Sequence, residues 1–333
     1  MEEKLTMSTR EVDRLKVICT VIEGRLKWRE ASDQLGLSMR QIGYLCSRVG
    51  VEGNRGVIHG LRGKPSNHQL QEGVLDRALG IVQEKYADFG PTFANEKLRG
   101  KHGIILSVNA LRGGMILEGL WKPKRVGKKH RAWRQRRSCV GELVQLDGSE
   151  HAWFEGRGEI CALVIYIDDA TSRILWGEFI PVEDTLSLLG STKRYIERHG
   201  RPVAFYVDKD SVYKVNRVLG VEEELEGRSE TLTQFRRAIE VLGIAMIFAQ
   251  SPQAKGRVER SFLTHQDRLV KELRLAGIST MEAANEFLWK SYIPDHNRRY
   301  SVDPANGMDA HRALLKGQDL SRILSIRDPR VVA

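Results

Sequence analysis

Residues 160–167 read Ile-Cys-Ala-Leu-Val-Ile-Tyr-Ile and run into Asp168-Asp169. Eight nearly all-apolar residues, rich in β-branched and aromatic types and closed by acids, make a strand buried on both faces. Upstream, Leu143-Val144-Gln145-Leu146 is a β-rich run that meets Asp147. Downstream, 174–180 makes a third strand, and Val203-Ala204-Phe205-Tyr206-Val207 makes a fourth that ends at Asp208. A fifth covers 244–248. The spacing of apolar residues predicts helices over 185–199 and 235–242 and a long helix from near Lys255. Three consecutive strands followed by alternating helix and strand describe a layered α/β core.

Three carboxylates stand at telling places in this pattern. Asp147 closes the first strand, Asp208 closes the fourth, and Glu259 lies early in the last helix, after Ser251-Pro252-Gln253-Ala254-Lys255-Gly256-Arg257-Val258. Carboxylates gathered at strand ends repel one another unless cations neutralise them. Mg²⁺ prefers hard oxygen ligands, and two such ions about 3.5–4 Å apart can activate an attacking oxygen and stabilise the leaving oxygen of a phosphodiester. Lys255, one helical turn before Glu259, is placed to hold a phosphate nearby. Asp168, Asp169 and Asp210 compete for the metal role, although strand and turn roles explain them equally well. His151 is a candidate for touching a phosphate, and Trp153 reads as packing.

The charge is divided unevenly. Residues 1–140 hold 27 Lys and Arg against 14 Asp and Glu, whereas residues 141–333 hold 26 against 29. One end of the chain is therefore suited to a polyanion, and nucleic acid is the natural one. Residues 10–49 read as helices joined by a tight turn. Ser32 is small enough for close helix approach, Gly36 supplies the turn, Ser38 caps the next helix and Ile42 packs back. This is a helix-turn-helix pattern, with Arg40, Gln41 and Tyr44 on the side of the second helix that would enter the major groove. A glycine-rich linker follows, and then a second helical set over 69–120. Residues 121–137 carry nine Lys or Arg and no acid, including Lys122, Lys124, Lys128, Lys129, Arg134 and Arg136, with Trp121 and Trp133 interleaved. A run that cannot neutralise itself points to phosphate contact.

Asp147-Gly148-Ser149, Tyr206-Val207-Asp208-Lys209 and the string from Ser251 to Arg260 resemble the three acidic motifs of DDE transposases with a retroviral-integrase-type core. More narrowly, Leu61-Arg62-Gly63-Lys64-Pro65-Ser66-Asn67, Tyr86-Ala87-Asp88-Phe89-Gly90-Pro91-Thr92 and Gln266-Asp267-Arg268-Leu269-Val270-Lys271-Glu272-Leu273-Arg274 are similar to the ISNCY-like bacterial insertion-sequence group, over roughly residues 7–320. The resemblance implies an RNase H-like core with a mixed five-stranded sheet, behind an all-α helix-turn-helix region. It implies an Asp147, Asp208, Glu259 triad that is both catalytic and metal-binding, with two Mg²⁺ ions for which Mn²⁺ can substitute. It also implies cleavage and joining of double-stranded DNA at transposon ends and target, by a homo-oligomer on DNA at the bacterial nucleoid.

The domain boundaries expected are 1–50 for the first helix-turn-helix, 51–68 for a linker, 69–120 for a second helix-turn-helix-like domain, 121–140 for a basic linker and 141–300 for the core. The interval of 50 residues between Asp208 and Glu259 is long for an integrase, and the excess falls in an acidic insertion near 216–233. Gly113-Gly114 stands where relatives carry bulkier residues, and Val207 replaces the more usual serine. Relatives continue into a small β-domain beyond a tail at 301–333, so a truncated copy is expected. The alternative functions are a DNA-binding regulator, or inactive copy, that keeps end binding, and a nuclease without joining activity. There is no run of about 18 apolar residues to span a membrane. The four cysteines form no Cys-x-x-Cys, which argues against zinc and disulfides and suits the reducing cytoplasm.

Overall fold

The computed structural model describes residues 5–63, 70–123, 135–208, 210–213, 232–249 and 258–327, with Glu259 described by its backbone. The chain divides into two compact units, Met1–Arg125 and Val126–Ala333.

In the first unit, α1 (Thr9–Ile22), α2 (Trp28–Leu35) and α3 (Met39–Glu52) enclose a small core of Ile18, Val21, Ala31, Ile42, Leu45, Val49 and Val57. Gly36 ends α2 at φ 63°, the left-handed region that favours glycine. Ser38 caps α3 by accepting the Gln41 N–H, and the Gln41 side chain accepts the Ser38 N–H in return. The residue buried in the tight helix pair is Ala31, one position before the expected Ser32; Ser32 instead donates to the Leu37 carbonyl. The expected linker is also partly folded. A 3₁₀ turn at Gly53–Val57 presses Gly56 against the backbone of Arg48 and Val49, and Arg62 binds the Thr6 carbonyl and the Glu11 carboxylate. Burial of Val57 and that ion pair draw residues 51–63 into the three-helix body.

A second set, α4 (Val74–Lys85), α5 (Pro91–His102) and α6 (Val108–Leu117), packs around Val82, Phe89, Phe93, Leu98 and Leu111. Gly114 does not break α6. A side chain there would press to 3.1 Å from Leu75 and Leu79, so its absence lets α6 close on α4.

The second unit is built on a five-stranded sheet of β1 (Val144–His151), β2 (Cys161–Asp168), β3 (Ile174–Ile180), β4 (Ala204–Val207) and β5 (Ala245–Phe248), in the order β3-β2-β1-β4-β5. The pairs β1–β2 and β2–β3 are antiparallel, and β1–β4 and β4–β5 are parallel. The helices α7 (Thr185–His199) and α8 (Gln234–Val241) cover one face, over Val144, Leu146, Val164, Tyr166 and Phe205. The other face, with Leu163, Ile165 and Ile167, is covered by α9 (Val258–Leu275), α10 (Met281–Phe287) and α11 (Ile293–Tyr300), α10 and α11 being joined by a π-helical turn at Leu288–Tyr292. This strand order, register and three-layer packing are those of an RNase H-like integrase core.

The core does not stop at residue 300. The segment from 301 to 327 wraps back over the sheet, with Ala310 N–H on the Val140 carbonyl and His311 on the Tyr195 hydroxyl at 2.7 Å. Leu320, Ile323 and Leu324 enter the core beside α7 and α8. They look too few to bury a core of their own because they complete an existing one. The acidic insertion lies almost wholly outside the described residues.

Candidate active site

The register of β1 and β4 brings the two aspartates together. Val144 pairs with Phe205 and Gln145 with Tyr206, so two further residues along each parallel strand set Asp147 level with Asp208, the first residue past β4. Neighbouring strands lie about 4.8 Å apart. Both aspartates are half-buried, and the Asp208 carboxylate accepts the Asp210 N–H at 3.0 Å.

Asp147 pairs across β2 with Ile165, whose side chain belongs to the core beneath α9, so the Asp147 side of β1 faces that helix. Gln266 of α9 donates to the Ser149 hydroxyl at 3.1 Å, and farther along the same helix Arg274 meets Glu155. The helix therefore advances in the same sense as β1. Position 259 lies seven residues before Gln266, on the same helical stripe and about 10 Å back, which equals about three residues of strand. The start of α9, with the backbone of 259, thus lies towards the Asp147 end of this contact and not the Glu155 end. Among the described residues no group of three His, Cys, Asp or Glu side chains is arranged to hold a metal ion.

The competing acids are occupied elsewhere. Asp168 is fully buried and accepts the Gly141 N–H, the Thr171 N–H and the Thr171 hydroxyl; burial raises its pKa against the pull of these bonds. Asp169, also fully buried, accepts the Gln145 side-chain amide and the Arg137 N–H. Asp210 accepts the Val212 N–H within its own turn. Trp153 is fully buried, with its indole N–H on the Ser149 carbonyl, and the His151 ring meets it edge-on.

Of the residues assigned to DNA, Arg40, Gln41, Tyr44 and Lys122 are exposed. The Gln41 side-chain carbonyl is engaged in the α3 cap, and the Arg48 guanidinium lies over the Tyr44 ring. Arg136 is not a free phosphate ligand: it donates to the Asp169 and Ala170 carbonyls and to the Ser172 hydroxyl, because the turn between β2 and β3 offers these acceptors together. Lys124, Lys128, Lys129, Arg134 and Lys255 lie outside the described residues.

Two residues near the aspartates escaped the sequence reading. The Glu183 carboxylate stands where a side chain on Gly148 would be, and the Tyr213 hydroxyl donates to it at 3.4 Å. Neither lies in a motif; only Gly148, directly after Asp147 within β1, hinted that something fills its space.

No family model matches the chain. It is 42% identical over 329 residues to the "Putative transposase y4bF" of Sinorhizobium fredii, covering 98% of this chain and 70% of that protein. It is 29% identical over 325 residues to the transposase for insertion sequence IS1202 of Streptococcus pneumoniae, covering 87% of this chain and 68% of that one. Among solved structures, the simian T-cell lymphotropic virus intasome aligns at 13% identity and a TM-score of 0.38, over 77% of each chain. The HTLV-2 integrase catalytic core in complex with magnesium aligns at 14% and 0.34, over 46% of this chain and 90% of that one. These scores are low, and what identifies the fold is the strand order and register. With the sequence identity to the S. fredii protein, they place the chain in the transposase family, on an integrase-type core.

Proposed function

We propose that this transposase binds the ends of an insertion sequence as double-stranded DNA and cleaves and joins them to target DNA through Asp147, Asp208 and Glu259. The observation that carries this reading is the parallel register of β1 with β4, Val144 on Phe205 and Gln145 on Tyr206, which two residues farther on leads to Asp147 and Asp208. Two carboxylates on adjacent strands present hard oxygens to one space, the donor chemistry that suits Mg²⁺. With Glu259 they would hold two Mg²⁺ ions, or Mn²⁺ in their place. Bound there, such a pair supplies activation of the attacking oxygen and stabilisation of the leaving one.

The chain's own residues do the rest of the work. Arg40, Tyr44 and the free amide end of Gln41 face the major groove of the end sequence, while Lys255 and the Lys and Arg residues of 121–137 other than Arg136 neutralise phosphates. Pairing of two ends requires more than one copy of the chain on the DNA, so the active form is a homo-oligomer at the bacterial nucleoid.

The test is to change each of the three acids to its amide, which keeps shape and removes charge. Asp147→Asn, Asp208→Asn and Glu259→Gln should each lose Mg²⁺-dependent cleavage and strand transfer on end duplexes by at least about 10³-fold. Gel retardation of the same DNA should persist. Strand transfer surviving in any one variant would remove that residue from the triad.

A further inference from the structure

Asp147 is followed by a glycine for a reason that lies across the chain. A Cβ added to Gly148 would overlap both oxygens of the Glu183 carboxylate. Glu183 is half-buried and directly precedes Asp184, whose side chain caps α7 by accepting the Ser187 N–H at 2.7 Å. The start of the helix thereby fixes the backbone that delivers Glu183 to the notch. On its other side stands Tyr213, 1% exposed and seated edge-on against Phe235, with its hydroxyl directed at Glu183. Burial holds that hydroxyl protonated, and the negative charges of Glu183, Asp147 and Asp208 act in the same direction, so it remains a donor.

We propose that Glu183 is a positioning residue of this active site: a carboxylate outside the triad, clamped between Gly148 and Tyr213, that strengthens cation binding at Asp147 and Asp208. The inference rests on the active-site reading above. Its physical basis is Coulombic. A fixed negative charge against Gly148, next to Asp147 in β1 but on the opposite face of the sheet, draws a divalent cation to its neighbours without ligating it, and partial burial limits its screening by solvent. The clamp matters because a carboxylate free to swing into water would lose most of that effect.

The experiment uses the full chain and Mn²⁺ as the probe, its binding read from loss of the free-ion electron paramagnetic resonance signal, with folding checked by thermal melting. Glu183→Gln keeps an acceptor for Tyr213 and removes the charge; it should weaken Mn²⁺ binding about five- to tenfold. Tyr213→Phe, which releases the carboxylate, should weaken it less but in the same direction. Glu197→Gln, at an exposed position on α7, should leave it unchanged. The Mg²⁺ concentration for half-maximal cleavage should rise in parallel, by a larger factor than any fall in turnover at saturating metal. If Glu183→Gln and Tyr213→Phe fold and bind Mn²⁺ as the wild type does, while Asp147→Asn loses it, the proposal is wrong and the active-site reading stands. If Asp147→Asn and Asp208→Asn also bind Mn²⁺ normally, the active-site reading falls as well.

Discussion

Asn297 of α11 meets Ile174 of β3 through both of its amide atoms, donating to the Ile174 carbonyl at 2.9 Å and accepting the Ile174 N–H at 2.8 Å. Asn285 of α10 treats Phe179 in the same way, at 3.0 and 2.7 Å. Together the two asparagines imitate a neighbouring strand along the outer edge of the sheet. An open edge would otherwise invite pairing with another chain.

Asn285→Ala and Asn297→Ala should therefore each destabilise the second unit by about 1–3 kcal/mol, the range expected for two lost hydrogen bonds with backbone groups left partly unpaired. The double variant should also aggregate faster on heating. Thermal melting with light scattering checks both. A double variant that melts and scatters like the wild type would show that water satisfies the edge equally well.

The segment beyond residue 300 should behave as core. Leu320 is 7% exposed and packs with Leu324 against α7 and α8. Leu320→Ala should cost about 2–4 kcal/mol in denaturant unfolding, the range for a large-to-small change in a packed interior. A loss below about 0.5 kcal/mol, the usual effect of a surface substitution, would make the segment an independent strap.

Stability should fall with acid through a histidine pair between α9 and α11. His265 is fully buried between the Ser261 and Tyr292 hydroxyls, at 2.7 and 2.8 Å, and its ring lies 4.8 Å from that of His296. Burial lowers the pKa of His265 well below its ordinary value and that of His296 to about 4; His296 adds to the shift of His265 and Arg268 to that of His296, while Asp295 opposes the latter. Both are neutral when folded, so the unfolded chain takes up protons first. Their contribution is complete above about pH 6.5 and is lost as pH drops towards 4, at roughly 1.4 kcal/mol per pH unit for each histidine. Melting temperatures measured from pH 7 to 4 should show the decline, and His296→Gln should flatten it. An equally steep decline in that variant would place the acid sensitivity elsewhere.

Arg136 and Arg40 should separate cleanly in a binding assay. With its guanidinium on the turn between β2 and β3, Arg136→Ala should lower the melting temperature and leave the salt dependence of DNA binding nearly unchanged. Arg40→Ala, at an exposed α3 position, should reduce discrimination between end and random duplexes. A flatter salt slope in Arg136→Ala would return that residue to the phosphate-contacting set.

The strands of the core and α7 were legible in sequence because buried strands and amphipathic helices write their periods locally: 174–180 and 185–199 are read directly from the apolar spacing. Asp208 was legible as the residue that follows β4, whereas Asp147, expected to close β1, is the fourth of its eight residues, because the strand runs on to His151. The turn at Gly36 and the cap at Ser38 were visible for the same reason, as both depend on residues within one helical turn. Tertiary structure alone decided the rest. For Asp168 and Asp169 the sequence left metal and strand-end or turn roles open, and their partners Gly141, Gln145 and Arg137, with the nearby Thr171, make them structural. The basic texture around Arg136 suggested phosphate, but three acceptors more than 30 residues away claim it. Leu320 and Leu324 lie in what the sequence offers only as a tail beyond the core, and the packed surface they cover exists only in the folded chain. Glu183 carries no local signal at all, because its place beside Gly148 arises from the pairing of strands far apart in the chain.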